Sequence, residues 1–337
     1  MSFKGIIIII LGLLALNSFA QVIKMGTVAP DGSPWHNALK EIAQEWRELS
    51  NGAVTLRIYP GGVAGDEPDL VRKIRIGQLD AAALTTSGLA YISTDFTALT
   101  YPIMINTDEE LDYIIKKVGP AYDQLIVQKG FQIVGWCNAG WVQFFSKIPV
   151  RSPDDMRKEK FFFWGSEATY IELLKKTGFH PVPLSLSDLL PSLQTGLVSA
   201  FVSPPQAALS FQWYKLAPNM CTLRWQPLPA AVVISDKKWQ QILAELRPRL
   251  KKSSERICAT LQGKVKDIEL ESIKVMVKHG LQIHSPTKAD LEKWRELVKE
   301  KIDPAFVGIR FTRESFDRVK AALAEFQAQP AKAAGGK

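Results

Sequence analysis

The apolar residues of this chain recur with two alternating periods. Val22 to Val28 is β-branched and reads as a strand. After a loop with Pro30, Gly32 and Pro34, residues Ala38, Leu39, Ile42, Trp46 and Leu49 fall at helical spacing. Asn51-Gly52 marks a turn, Val54 to Tyr59 alternates as a strand, and Pro60-Gly61-Gly62 ends it. Leu70, Val71 and Ile74 give the next helix its stripe, closed at Gly77, and Ala81 to Leu84 is a short buried strand. A helix is predicted over about 108–128 and a buried strand over 131–136. This rhythm predicts an α/β fold with mixed or parallel sheets flanked by helices.

The rhythm then repeats. Phe161 to Trp164 reads as a strand, Tyr170, Leu173 and Leu174 as a helix ending at Gly178, and Pro181 to Leu184 as a strand. Ser187 or Asp188 caps a helix running to Gly196, and Val198 to Val202 is a strand stopped by Pro204-Pro205. Ala230 to Ile234 returns the chain to the first sheet. Trp239 to His279, with one internal Pro248, predicts a long helix joining two lobes, and amphipathic helices follow over 287–299 and 312–329. The organisation expected is a signal peptide over 1–20, lobe I over 21–145, and lobe II over 146–230. Residues 231–329 then return to lobe I with the long connecting helix and C-terminal helices, and 330–337 form a disordered tail.

The N-terminus sets the compartment. Lys4 precedes the apolar run Ile6 to Leu16, and Ser18-Phe19-Ala20 places small residues at the cleavage positions. Export to the periplasm with a cut after Ala20 is expected, against an uncleaved anchor as the alternative. That cut leaves 317 residues, enough for two cores. The formal charge is +8, mixed along the chain without a basic stripe, which argues against nucleic acid. Cys137, Cys221 and Cys258 show no metal or redox spacing; three buried thiols are expected, with a Cys137–Cys221 bridge conceivable.

Chemistry is sparse. No GxSxG, P-loop or GxGxxG occurs, and the four histidines make no metal or nucleophile pattern. Asp66-Glu67 and Asp154-Asp155 start predicted helices, where carboxylates cap and offset the dipole. No catalytic residue, metal or cofactor is expected. A protein of this kind binds a ligand between its lobes and closes on a hinge.

The order of segments resembles the substrate-binding (DctP-type) subunits of TRAP, the tripartite ATP-independent periplasmic, transporters. The resemblance covers nearly all of the mature chain. It is carried by Gly26-Thr27 to Ser33-Pro34-Trp35-His36, Ser50-Asn51-Gly52 to Tyr59-Pro60-Gly61-Gly62, and Gly65-Asp66-Glu67 to Ile76-Gly77-Gln78-Leu79-Asp80. It continues through Gly135-Trp136 to Gly140-Trp141, Pro149-Val150-Arg151-Ser152-Pro153-Asp154-Asp155-Met156, Gly178-Phe179-His180-Pro181-Val182-Pro183 and Leu193-Gln194-Thr195-Gly196. The resemblance implies a two-lobed periplasmic binding protein fold with a long helix across both lobes. It also implies delivery of ligand to integral-membrane subunits without ATP, in some relatives through a periplasmic helical-repeat protein.

The departures bear on the ligand. Members that carry organic acids hold the carboxylate on an arginine that falls here on Phe162, within Phe161-Phe162-Phe163-Trp164. A second arginine falls on Val142, beside Trp141, and the family's ligand-touching asparagine segment becomes Ser199-Ala200-Phe201-Val202-Ser203. Glu67 matches an acid that lies near ligand in some relatives, although helix capping explains it equally. A cleft of Phe162, Trp164, Val142 and Trp141, with Val202 and Ser203, offers a carboxylate no cation. It favours an apolar or lipid-like ligand, and core packing of the aromatics is the plain alternative. Two further alternatives are a non-transport interaction protein with an aromatic-filled cleft and a receptor that binds an organic acid in a non-standard way.

Overall fold

A computed structural model describes residues 21–164 and 168–329. The expected signal peptide and the expected disordered tail lie outside the described residues. The strands are β1 (Gln21–Thr27), β2 (Val54–Tyr59), β3 (Ala81–Thr85), β4 (Phe131–Ser146) and β5 (Lys160–Trp164). They continue with β6 (His180–Leu184), β7 (Ala200–Ser203), β8 (Asn219–Cys221), β9 (Gln226–Ser235) and β10 (Gln282–His284). The longer helices are α1 (Pro34–Leu49), α2 (Glu67–Arg75), α3 (Asp108–Gln128), α4 (Arg247–Lys278), α5 (Lys288–Leu297) and α6 (Arg313–Gln327).

The main strand order is β2-β1-β3-β9-β4-β7-β5-β6, with β8 joining β4 to β10. β1 runs parallel to β2 and β3, as expected of strands linked through helices. β9 then enters antiparallel between β3 and β4. In the second lobe β5 pairs in parallel with β6 and β7, while β7 lies antiparallel to β4. The two lobes are therefore continuous through β4. Its first part pairs with β9, and its last four residues pair with β7. The strand read over 131–136 is the first third of this crossing, which the sequence hid because Asn138 to Gly140 interrupts the apolar run.

Local chemistry starts the elements where the periodicity places them. Ser33 caps α1 through His36 N, with Pro34 at the first turn. Thr107 and Glu110 form a reciprocal capping box at the start of α3. Asp66 caps α2, and Asp155 closes a box with Ser152, so both acid pairs sit at helix starts as expected. β3 is buried on both faces, which accounts for its unbroken Ala-Ala-Ala-Leu run.

Three expectations change. The long helix begins at Arg247, because Pro248 occupies its first turn and a separate short helix, Asp236–Gln241, precedes it. The C-terminal third does not return wholly to lobe I. β10 pairs with β8, and α5 docks on lobe II through Lys293 to Asp154 (2.8 Å) and Trp294 Nε1 to the Arg151 carbonyl (2.9 Å). α6 packs on lobe I, where the Tyr113 hydroxyl of α3 donates to Glu325. Finally, the three cysteines are not all free thiols: Cys137 is bonded to Cys258, not to Cys221, and Cys221 alone is a free buried thiol. α4 lies so close over β4 that a Cβ at Gly135 would stand 2.9 Å from the Cys258 sulfur. That approach brings together two cysteines 121 residues apart, and spacing along the chain gives no hint of it.

Candidate functional site

The cleft between the lobes encloses a cavity of about 240 Å³. Its walls come from strand ends and the turns that leave them, as in other open α/β sheets. Lobe I contributes Thr27, Ser33, Trp35, Thr85, Thr86 and Ser87. Lobe II contributes Phe161, Phe162, Phe163 and Trp164 of β5, with Phe211 and Trp213. The floor, where the chain crosses between lobes, carries Val142 and Phe144 of β4 and Trp225 and Leu228 beside or on β9.

The aromatic wall is braced from behind. Phe162 is 3% exposed and packs in the lobe II core with Phe145, Phe201 and Trp213. Phe145 and Phe201 stack at 4.9 Å, and Phe211 stacks on Trp213 at 4.5 Å. Trp294 of α5 stacks on Phe144 at 5.0 Å and meets Trp225 edge-on at 5.2 Å. Interlocked rings of this kind hold their positions, so the wall is a pre-formed apolar surface.

Six of the seven residues singled out from sequence line this cavity: Phe162, Trp164, Val142, Val202, Ser203 and Glu67. Trp141 does not. It is fully buried on the opposite face of β4, its backbone N–H donating to Glu269 (2.6 Å) and its indole N–H to Asp108 (2.9 Å). Arg224 lies over its ring, 4.9 Å from the centroid. The Trp141 indole is held by Asp108 at the start of α3, and alternation along β4 turns Val142 the other way, into the cleft. The same alternation brings in Phe144, two residues after Val142, which the sequence reading overlooked.

Glu67 is 1% exposed, at the start of α2. It accepts hydrogen bonds from the Thr85 N–H (2.7 Å) and hydroxyl (2.8 Å), tying α2 to the end of β3. A Cβ at Gly88 would stand 2.8 Å from its carboxylate, so the carboxyl needs a glycine there. Burial pushes its pKa up to about 8, against the opposing pull of those Thr85 bonds and of the Gly88 N–H. At neutral pH it is therefore mainly an uncharged acid in the wall.

Arg310 is the one basic side chain among the described lining residues. It comes from the C-terminal segment, on a turn where Gly308 holds φ +81. Its guanidinium sits 3.6 Å from the Tyr170 ring centroid and 5.4 Å from that of Phe306. Sequence reading missed it, as it missed Trp35 and Trp225, because nothing along the chain connects those segments to β5. Two lobe I polar atoms, Thr86 Oγ1 and Trp35 Nε1, are buried without a hydrogen-bond partner among the described protein groups.

The geometry defines a class: a two-lobed α/β protein with a cavity in the cleft between its lobes, the architecture of solute-binding proteins. The chain matches the family model DctP, bacterial extracellular solute-binding protein, family 7, over residues 25–307, and it belongs to that family. It is 23% identical over 287 residues to the sialic acid-binding periplasmic protein SiaP of Vibrio cholerae, covering 83% of this chain and 87% of that one. It is 24% identical over 311 residues to the C4-dicarboxylate-binding periplasmic protein DctP of Rhodobacter capsulatus, covering 90% and 91%. Among solved structures, the TRAP periplasmic solute-binding protein of Desulfovibrio salexigens with bound orotic acid superposes with a TM-score of 0.83 at 18% identity, covering 91% of this chain and 98% of that one. The sugar acid-binding protein DctPAm of Advenella mimigardefordensis with galactonate gives 0.84 at 17%, covering 90% and 98%. The fold and the family are those that the sequence resemblance implied.

Proposed function

We propose that this solute receptor works in the periplasm after export through its signal peptide and closes its lobes on an apolar or amphiphilic ligand. It then passes that ligand to integral-membrane TRAP subunits, directly or through a helical-repeat partner. The observation that carries this reading is the β5 wall. In the reading proposed here, Phe162 stands where acid-carrying members of the family hold an arginine, and Phe162 is buried among rings.

Magnitudes favour an apolar body for the ligand. Each methylene moved from water onto such a wall contributes about 0.8 kcal/mol. A carboxylate placed there without a cation costs several kcal/mol. Glu67, mainly uncharged near neutrality, supplies no attraction for a cationic ligand. The hydroxyls of lobe I and the two buried polar atoms, Thr86 Oγ1 and Trp35 Nε1, suit one small polar group at the ligand's end. A cavity of about 240 Å³ disfavours the alternative of a cleft filled by its own aromatics.

A second reading rests on Arg310: an organic acid held from the C-terminal segment instead of from β5. Several solved relatives hold acids such as galactonate and orotic acid. Here the acid would have to compete for a guanidinium already seated on Tyr170 and Phe306.

Displacement of the uncharged fluorophore N-phenyl-1-naphthylamine separates the two. Long-chain alcohols are expected to displace it and galactonate is not. Displacement by galactonate, lost in Arg310→Ala, would replace the first reading by the second.

A further inference from the structure

Asp66 reaches across the cleft. Gly65 turns the chain into α2 with φ +106, where a Cβ would stand 2.7 Å from the Asp69 side chain, so the turn requires glycine. The turn presents Asp66 as the cap of α2, and its carboxylate accepts the Glu67 N–H at 2.8 Å. The same carboxylate accepts two groups from lobe II. The Trp164 indole N–H lies 2.9 Å from both oxygens, and the Leu186 backbone N–H lies 2.9 Å from Oδ2. Trp164 ends β5, and Leu186 opens the short turn after β6. Three N–H donors from two lobes thus converge on one acidic side chain.

We propose that Asp66 is a clasp that closes the lobes and couples closure to the ligand through Trp164. The carboxylate is fixed on lobe I by the Gly65 turn and the helix cap. Its two donors sit on lobe II, so both bonds form only when the lobes meet. Hydrogen bonds to a charged acceptor are stronger than neutral ones, and here two act together. Trp164 also lines the cavity, as does Leu186. A ligand packed on the indole face fixes the ring in the plane that points its N–H at Asp66, and the clasp in turn holds the ring against the ligand. Asp66 is a positioning residue: it acts on the ligand only through Trp164. The clasp closes part of the population before ligand arrives, so closure in the unliganded protein does not depend on what the ligand is. The coupling rests on the reading above that ligand occupies this cleft.

The test measures the distance between spin labels at Ile76→Cys on lobe I and Leu197→Cys on lobe II, both exposed sites, by pulsed electron resonance. Asp66→Ser keeps a helix cap and removes the carboxylate. Trp164→Phe keeps an aromatic lining, removes the N–H and leaves α2 untouched. In the ligand-free protein a short-distance population is expected. Trp164→Phe, which leaves the Leu186 bond, should lower its ratio to the open form roughly tenfold. Asp66→Ser, which removes the acceptor of both donors, should lower it further, and the double variant should match Asp66→Ser, as members of one network do. N-phenyl-1-naphthylamine should raise the short-distance population in the parent and raise it less in both variants. A ligand-free parent showing only the long distance overturns the clasp. So do variants with unchanged distances, or effects of the two substitutions that simply add. If the fluorophore fails to bind the parent while the ligand-free shifts occur, the apolar-ligand reading falls and the clasp stands.

Discussion

The two walls of the cleft differ in chemistry and in what holds them. Lobe I presents small hydroxyls, Trp35 and one buried acid, set at the ends of β1 and β3 and tied by hydrogen bonds such as Glu67 to Thr85. Lobe II presents four consecutive aromatics from β5 with Phe211 and Trp213, held by ring packing. A hydrogen-bonded wall fixes direction and selects polar groups. A wall of packed rings contributes area and tolerates many shapes. Under the proposed reading, lobe II would supply binding strength and lobe I would orient the ligand.

Substitutions that exchange these characters should show the contrast, beginning with the largest effect. Phe162→Arg puts an unpaired cation where the native ring is 3% exposed. It should cost about 3 kcal/mol or more in urea unfolding, abolish fluorophore binding, and regain stability when a carboxylate ligand such as galactonate is added. Trp164→Ala removes a large part of the lobe II surface and one end of the interlobe bond to Asp66. An apolar ligand should lose about 2–3 kcal/mol of affinity in a titration, with little change in its preference among head groups.

On lobe I the effects should be of another kind. The folded protein holds Glu67 with a pKa raised to about 8, above its ordinary value of 4.5. Folding therefore favours the protonated acid. That stability is complete below about pH 4.5 and is lost as pH rises through 8. Glu269, raised to about 7 by burial beneath Trp141, acts in the same direction over a narrower window. Glu67→Gln should flatten the fall in urea midpoint between pH 5 and 8, and Glu269 should leave a residual slope. An unchanged slope would show that Glu67 is not the group titrating. Smallest of all, Thr86→Val should weaken amphiphiles with a polar head by about 1 kcal/mol. It should leave the head-free fluorophore unaffected, as paired titrations would show.

The parts of this architecture that depend on local order could be read along the chain. Strand and helix periods, caps at Ser33, Thr107 and Asp66, and the punctuating glycines all act within a few residues. The run of four aromatics in β5 was readable too, but not how it divides between cleft and core: Phe162 also packs in the lobe II core and Phe161 in the other core cluster. What depended on long-range approach could not be read. The Cys137–Cys258 bond follows from α4 lying on β4, and three cysteines allow three pairings with nothing local to choose among them. Trp141 adjoins Val142 in sequence, but its partners Glu269 and Asp108, which hold it out of the cleft, lie 128 and 33 residues away. Arg310, Trp225 and Trp35 reach the cleft from segments that neither period nor motif ties to β5. The helix-start role of Asp66 was visible, whereas its partners Trp164 and Leu186, 98 and 120 residues away, were not.

The division of labour between the walls is tested most directly by native mass spectrometry of the protein isolated from the periplasm of its own host. The account predicts a retained apolar or amphiphilic molecule that is lost in Phe162→Arg and kept, with looser head-group selection, in Thr86→Val. A small polyhydroxy acid retained by the parent protein and released by Arg310→Ala would contradict it.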